Sequence, residues 1–332
     1  MKKIQSIGFF VNTTKANAAS VVEGVCTWLE ARGIVPLLPE EQASALGRTN
    51  DTPISKTEVV EQADVMLVLG GDGTLLSAAH TPKIEKVPIL AINIGTLGFL
   101  TDASLDELYP TLESLLTGDY RIEHRMMLEV VVNSQIRMNT DSQNPEAVSP
   151  TNGPGWRDGE GRSYQTRPTE PQGTSKKPFR AFALNDVVIR HYTRLIELDA
   201  YIDGELFIPY NVDGLIIATP SGSTGYSLSC TGTIVEPQLE AILLTPIAPH
   251  SLTVRPFIAH GEAEITVKMR AAYQSVDVFV DGQRETHSLT AGAIIKVEKA
   301  ERTIQLIRSQ HHSYYKALRE KLMLGESVRN VR

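Results

Sequence analysis

The sequence predicts a doubly wound, Rossmann-like α/β N-terminal domain followed by an all-β, sandwich-like C-terminal domain. Three observations carry this. Strand and helix patterns alternate up to Thr117. From Arg180 to the end of the 290s, strand patterns follow one another with little helix signal. Between Asp64 and Ala79 an unbroken apolar run, Val65 to Leu69, ends in Gly70-Gly71-Asp72-Gly73-Thr74 and then a helix start. A short apolar run without alternation suits a strand buried on both faces in a parallel sheet.

In chain order, Ile4 to Val11 reads as the first strand. Ala16 to Arg32 carries apolar residues at helical spacing, and Gly33 is placed to stop that helix. Ile34 to Leu38 is a second strand. Residues 40–63 are polar, with a weak helix near Ser55 to Gln62. After the glycine turn, Pro88 to Asn93 is a strand and Asp102 to Thr117 a capped amphipathic helix. The character changes near Tyr120, and Met127 to Val132 reads as a strand.

Residues 139–178 contain no Leu, Ile, Phe or Met, so little apolar burial offsets their ordering entropy. This stretch is expected to be an exposed, flexible insertion. The second half offers strands at Phe182 to Arg190, Leu195 to Ile202, Glu205 to Asn211, Gly214 to Ala218, Ile265 to Met269, Val276 to Val280 and Ala293 to Lys299. Ile304 to Ile307 is a last strand, and Tyr314 to Leu324 a helix that returns to the first domain. The expected division is therefore 1–124 with 304–332, and 125–303.

Composition narrows the function. A net charge of −7 with interspersed signs argues against broad nucleic-acid binding and an anionic-membrane patch. Two cysteines, Cys26 and Cys230, form no disulfide framework or metal spacing. Neither a signal-peptide pattern nor a run of membrane-spanning length is seen, so a cytoplasmic protein is expected. The P-loop, Rossmann fingerprint, His-Glu-x-x-His and Gly-x-Ser-x-Gly motifs are absent.

The glycine turn is placed for phosphate. Helix N-termini at the carboxyl ends of parallel strands expose N–H groups, and Gly70, Gly71, Gly73 and Thr74 let a ligand approach them. Asp72 has two readings: a base or cation holder for phosphoryl transfer to a hydroxyl, or a helix cap. Asn185-Asp186 sits in an apolar strand and suits a ribose or a base edge, or else marks a strand-edge turn. Asp213 through Ser229 runs from a strand into a hydroxyl- and glycine-rich turn; its hydroxyls could wrap a sugar-phosphate and Tyr226 could stack on a ring. Asp281-Gly282-Gln283 follows a strand and is well explained as a hairpin turn.

Together Gly70-Gly71-Asp72-Gly73-Thr74, Asn93 to Leu100, Asn185-Asp186, Asp213 to Tyr226 and Tyr314 to Leu322 resemble the NAD kinase family, over nearly the whole chain except 139–178. The resemblance implies phosphorylation of the adenosine-ribose 2′-hydroxyl of NAD, with ATP or polyphosphate as donor and a divalent cation, Mg²⁺, at the donor phosphates. It implies Asp72 as proton acceptor. Substrate contacts are implied at Gly73, Ser77, Asn185, Asp186, Arg194, Asn211, Asp213, Thr224, Gly225, Tyr226, Ser227, Leu228, Ser229 and Gln283. It also implies a homodimer or homotetramer whose pocket a neighbouring subunit completes. Gly225 stands where alanine is common in the family, and Asn211 where some members carry arginine. A lipid or sphingoid-base kinase sharing the turn, and a non-catalytic dinucleotide sensor, are the competing readings.

Overall fold

The computed structural model describes residues 3–48, 53–95, 98–101, 103–133, 178–270, 276–289, 292–310 and 313–324. The insertion expected at 139–178 lies outside the described residues, apart from Pro178. The first half contains β1 (Ser6–Val11), α1 (Ala18–Glu30), β2 (Val35–Leu37), α2 (Glu40–Ala45), α3 (Lys56–Gln62), β3 (Val65–Leu69), α4 (Asp72–Ala79), β4 (Ile89–Asn93), β5 (Ala103–Ser104) and α5 (Leu108–Thr117). Then come β6 (Tyr120–Asn133), β7 (Phe179–Ala183), β8 (Asp186–His191), β9 (Ile196–Ile202), β10 (Glu205–Val212), β11 (Gly214–Ala218), α6 (Tyr226–Ser229) and β12 (Ala241–Ile247). The chain closes with β13 (Phe257–His260), β14 (Ile265–Met269), β15 (Val276–Val280), β16 (Glu285–Ser288), β17 (Ile294–Ser309) and α7 (Tyr314–Leu322).

The parallel strands lie in the order β2-β1-β3-β4, with both faces covered. Ile7, Phe9 and Val11 pack with Val22, Val25 and Leu29 of α1 and Leu112 of α5. Phe10, Met66 and Val68 face the other way, onto Val59 of α3 and Leu75 and Ala78 of α4. This double cover explains why β3 and β4 read as continuous apolar runs. Gly33 adopts φ +72°, the left-handed conformation that ends α1.

The second half is a sandwich. The antiparallel sheet β13-β12-β11-β8-β15-β16 packs against β6, β7, β9, β10, β14 and β17. Val187, Ile189, Leu215, Ile217 and Val278 meet Leu128, Val130, Leu198, Val267 and Ile295 in its core.

β17 joins the two halves. On one edge it pairs with β14 at Ile294 to Val297 and with β4 at Leu306. On the other it pairs with β6 along almost its whole length. The two strands expected at Ala293 to Lys299 and Ile304 to Ile307 are thus one. A register shift between Lys299 and Thr303 separates the two apolar stretches that looked like two elements. The expected boundaries at 124/125 and 303/304 fall inside β6 and β17.

Other differences are local. Phe182 to Arg190 is two strands, because β7 and β8 belong to different sheets and part at Leu184 and Asn185. α4 starts at Asp72, before Thr74. α5 starts at Leu108, after the 3-10 turn Leu105–Glu107, because Ser104 and Glu107 form a capping box on that turn. α2, β12, β13 and β16 went unread; β16 alternates Glu285, Thr286, His287 and Ser288 and has no apolar face to read.

A buried charge cluster fills the seam of β6 and β17. Arg125 and Arg308 are each 1 % exposed. Glu123 Oε2 accepts from Arg125 Nη2 at 2.7 Å and from Arg308 Nε at 3.2 Å. Burial alone would raise the Glu123 carboxyl, but Arg308 and Arg125 outweigh it and hold it down at about 2. A depressed carboxyl gives stability that is present above its ordinary value and drains as pH falls.

Glu123→Gln is expected to cost about 3 kcal/mol at pH 7, because two buried cations lose their anion. In urea unfolding, the gap to wild type should close as pH falls from 4.5 to about 2. A gap independent of pH would contradict the assignment.

Candidate active site

The glycine turn is shaped by close approaches. A Cβ on Gly70 would lie 2.1 Å from Thr74 Oγ1, so only glycine fits beneath that side chain. Gly71 is the N-cap residue of α4 and faces open space. Asp72 sits within the first turn of α4, and no side-chain cap bond forms there, which removes the helix-cap reading. Its carboxylate reaches sideways to the loop after β4 instead. Oδ2 accepts from the Phe99 N–H at 2.8 Å and Oδ1 from the Leu100 N–H at 3.0 Å. A Cβ on Gly98 would stand 1.8 Å from Oδ1, so this loop needs glycine to let the carboxylate in. Ser77 Oγ turns back onto Gly73 O at 3.1 Å.

The second part of the site lies where β8 begins and β11 and β15 end. Ala218 pairs with Asp186, and Val280 with Val187. The buried Asp281 carboxylate gathers this corner. It accepts from the N–H groups of Leu184 at 2.8 Å, Asn185 at 2.7 Å and Asp186 at 3.1 Å. Asp281, Gly282 and Gln283 all have positive φ, at 46°, 65° and 72°. Such a run of left-handed residues is strained and needs bonds of this kind to hold it. Burial, then the nearby Asp281 charge, push the Asp186 carboxyl up to about 7. Asn185 Oδ1 is buried and accepts no hydrogen bond from the described residues. A Cβ on Gly225 would be 3.5 Å from Asn185 Nδ2 and 3.6 Å from Asp186 Oδ2, so the turn after β11 covers this pair closely.

Two contacts bring the parts together. His80, at the C-terminal end of α4, places Nε2 2.9 Å from Asp281 Oδ2 and Nδ1 3.1 Å from Glu285 Oε1. Burial opposes charge on His80, but Asp281 and Glu285 outweigh it and raise its pKa. Arg284 Nη2 donates to Gly73 O at 2.9 Å. The two motifs, more than a hundred residues apart in sequence, therefore lie side by side.

Gly70 to Thr74 and Ser77 lie on one side of this junction and Asn185, Asp186, Thr224 and Gly225 on the other, and Tyr226, Ser229 and Gln283 are exposed. Leu228 is half-buried. Ser227 is fully buried, its Oγ 2.8 Å from Thr245 Oγ1. Arg194, Asn211 and Asp213 are exposed at the far end of β8 and β11, where Gly214 pairs with Arg190. Four residues of strand separate that end from Asp186, roughly 13 Å. Sequence reasoning missed His80 and Arg284, quoted Gly98 only as part of the Asn93 to Leu100 motif, and valued Asp281 only as hairpin chemistry. The readable signal for Asp281 was an acid ending an apolar strand.

Among the described residues no group of three or more His, Cys, Asp or Glu gathers as a metal site. A lone carboxylate such as Asp72 fits the sparse donor set of Mg²⁺, which takes one or two carboxylates plus substrate phosphates.

Residues 7–120 match the ATP-NAD kinase N-terminal domain and residues 184–309 the ATP-NAD kinase C-terminal domain. The NAD kinase of Geobacter metallireducens is 37 % identical over 325 residues, covering 97 % of this chain and all of that protein. The NAD kinase of Moorella thermoacetica is 38 % identical over 326 residues, covering 98 % of this chain and 91 % of that one. In fold, the chain is similar to yeast NADH kinase complexed with NADH, at TM-score 0.80 and 23 % identity over 100 % of this chain and 91 % of that one. It is also similar to an Archaeoglobus fulgidus NAD kinase in complex with ATP, at TM-score 0.66 and 22 % identity over 96 % and 99 %.

Asp281→Asn is expected to destabilise the fold by about 3 kcal/mol, because the amide removes the anion that three N–H groups and His80 share. Urea unfolding at pH 7 checks this. Unchanged stability would contradict the role given to Asp281.

Proposed function

The chain belongs to the NAD kinase family and is an enzyme that phosphorylates NAD, and from that premise we propose how its own residues do so. The observation that carries the proposal is the junction of the Asp72 turn with the Asn185–Asp186 corner, joined by His80–Asp281 and Arg284–Gly73. The adenosine 2′-hydroxyl is a poor nucleophile at neutral pH. Asp72 takes its proton as the oxygen attacks the terminal phosphorus of ATP or polyphosphate. The bond to the bridging oxygen breaks, and the leaving phosphate keeps the electron pair.

Asp72 is suited to this because it is fixed. Each of its oxygens accepts one backbone N–H, which leaves further lone pairs of a carboxylate's roughly four for the hydroxyl. Asn185 Oδ1 gains a donor from the bound nucleoside, and Asp186 accepts ribose hydroxyls. Thr224, Gly225 and Tyr226 cover the adenosine side, with the tyrosine ring as a stacking face. Asp72 would hold a Mg²⁺, which neutralises the donor phosphates.

We also propose a cytoplasmic homo-oligomer. Arg194, Asn211 and Asp213 are exposed at the opposite end of β8 and β11 from Asp186. In a dimer or tetramer they serve a neighbour's site.

The test is NADP formation with NAD, ATP and Mg²⁺. Asp72→Asn is expected to lose at least about a hundredfold in kcat, the usual contribution of a general base, and to keep its affinity for NAD. Equal rates would remove Asp72 as the base. A wild type that binds NAD and turns over with neither ATP nor polyphosphate would favour the sensor.

A further inference from the structure

Two cations stand at the carboxyl ends of the parallel strands, Arg284 on the glycine turn and Lys15 beside Gly95, and the chemistry above uses neither. Arg284 comes from the turn between β15 and β16. Its contact with Gly73 O occupies one of a guanidinium's five donors, and the side chain is exposed. Lys15 comes from the loop after β1. Its Nζ lies 3.2 Å from the place of a Gly95 Cβ, just beyond the end of β4. β3 lies between β1 and β4 in the sheet. Lys15 therefore crosses the mouth of β3, above the point where Gly70 and Gly71 leave the strand. Among the described residues, neither Lys15 nor Arg284 is paired with a carboxylate. Both rest on glycines: a side chain at Gly95 would press on the ammonium, and one at Gly73 would meet Arg284 Nη2 at 3.5 Å.

We propose that Lys15 and Arg284 clamp the phosphate chain of the donor, Arg284 on the phosphoryl group in transfer and Lys15 on the leaving phosphates. The proposal rests on the kinase reading above. Asp72 puts a negative charge where a polyanion must bind, and helix N–H groups alone do not offset it. Arginine offers a planar fork to phosphate oxygens; lysine offers a compact point charge. As the new oxygen–phosphorus bond forms and the bridging bond breaks, negative charge grows on the leaving phosphate, on the side Lys15 occupies.

The experiment titrates ATP, ADP, AMP, inorganic tripolyphosphate and NAD into wild type, Arg284→Gln, Arg284→Lys and Lys15→Met, with melting temperatures as a folding control. Arg284→Gln and Lys15→Met are each expected to weaken ATP and tripolyphosphate by about tenfold or more, the size of a lost charge-assisted hydrogen bond. AMP and NAD should stay within about twofold. Arg284→Lys should fall between wild type and Arg284→Gln. ATP and AMP weakened equally would make Arg284 a prop for Gly73 and overturn the clamp, as would unchanged tripolyphosphate binding. NADP formation by wild type, assayed alongside, tests the kinase reading separately: it can fail while the dependence on phosphate number still decides the clamp.

Discussion

The Asp281 carboxylate is the constraint on which the site depends. It ends β15, pins the start of β8 through three N–H groups, and meets His80 at the end of α4. β15 and β8 belong to the sandwich, whereas α4 packs on the parallel sheet. One buried acid therefore sets where the glycine turn stands relative to Asn185 and Asp186. It also explains the left-handed Asp281–Gln283 run, whose strain the surrounding bonds offset, and which delivers Arg284 to Gly73.

A second chain of contacts fixes Asp72 from behind. Arg308, on the strand that joins the two halves, donates Nη1 to the Leu100 carbonyl at 3.0 Å. The N–H of the same residue holds Asp72. Lys321 of α7 lies over the Phe99 ring, 4.1 Å from its centroid. The returning helix and the joining strand thus brace the two peptides that hold the carboxylate. The buried Glu123 in turn holds Arg308. A general base needs this fixity, because its geometry must already be right when the phosphoryl group arrives.

Legibility in the sequence followed burial. β3 and β11 matched their readings residue for residue, because strands covered on both faces are apolar throughout. β16 was invisible because its alternation carries no apolar face. β7 and β8 read as one strand because a change of sheet leaves no trace in hydropathy. Motif residues near Gly70 and Asn185 stood out as polar breaks in apolar runs. His80 and Arg284 did not, since their significance lies in what they meet from distant segments. Arg194 and Asp213 looked equivalent to Asp186 in sequence, and only strand direction separates them.

The most direct measurement is a crystal structure with NAD and a non-hydrolysable ATP analogue bound together. The expected result is the adenosine 2′-oxygen about 3 Å from an Asp72 carboxylate oxygen, with the terminal phosphate on the Arg284 side. An adenosine ribose bound away from Asp72, or one contacting Asp213 of the same subunit, would contradict it.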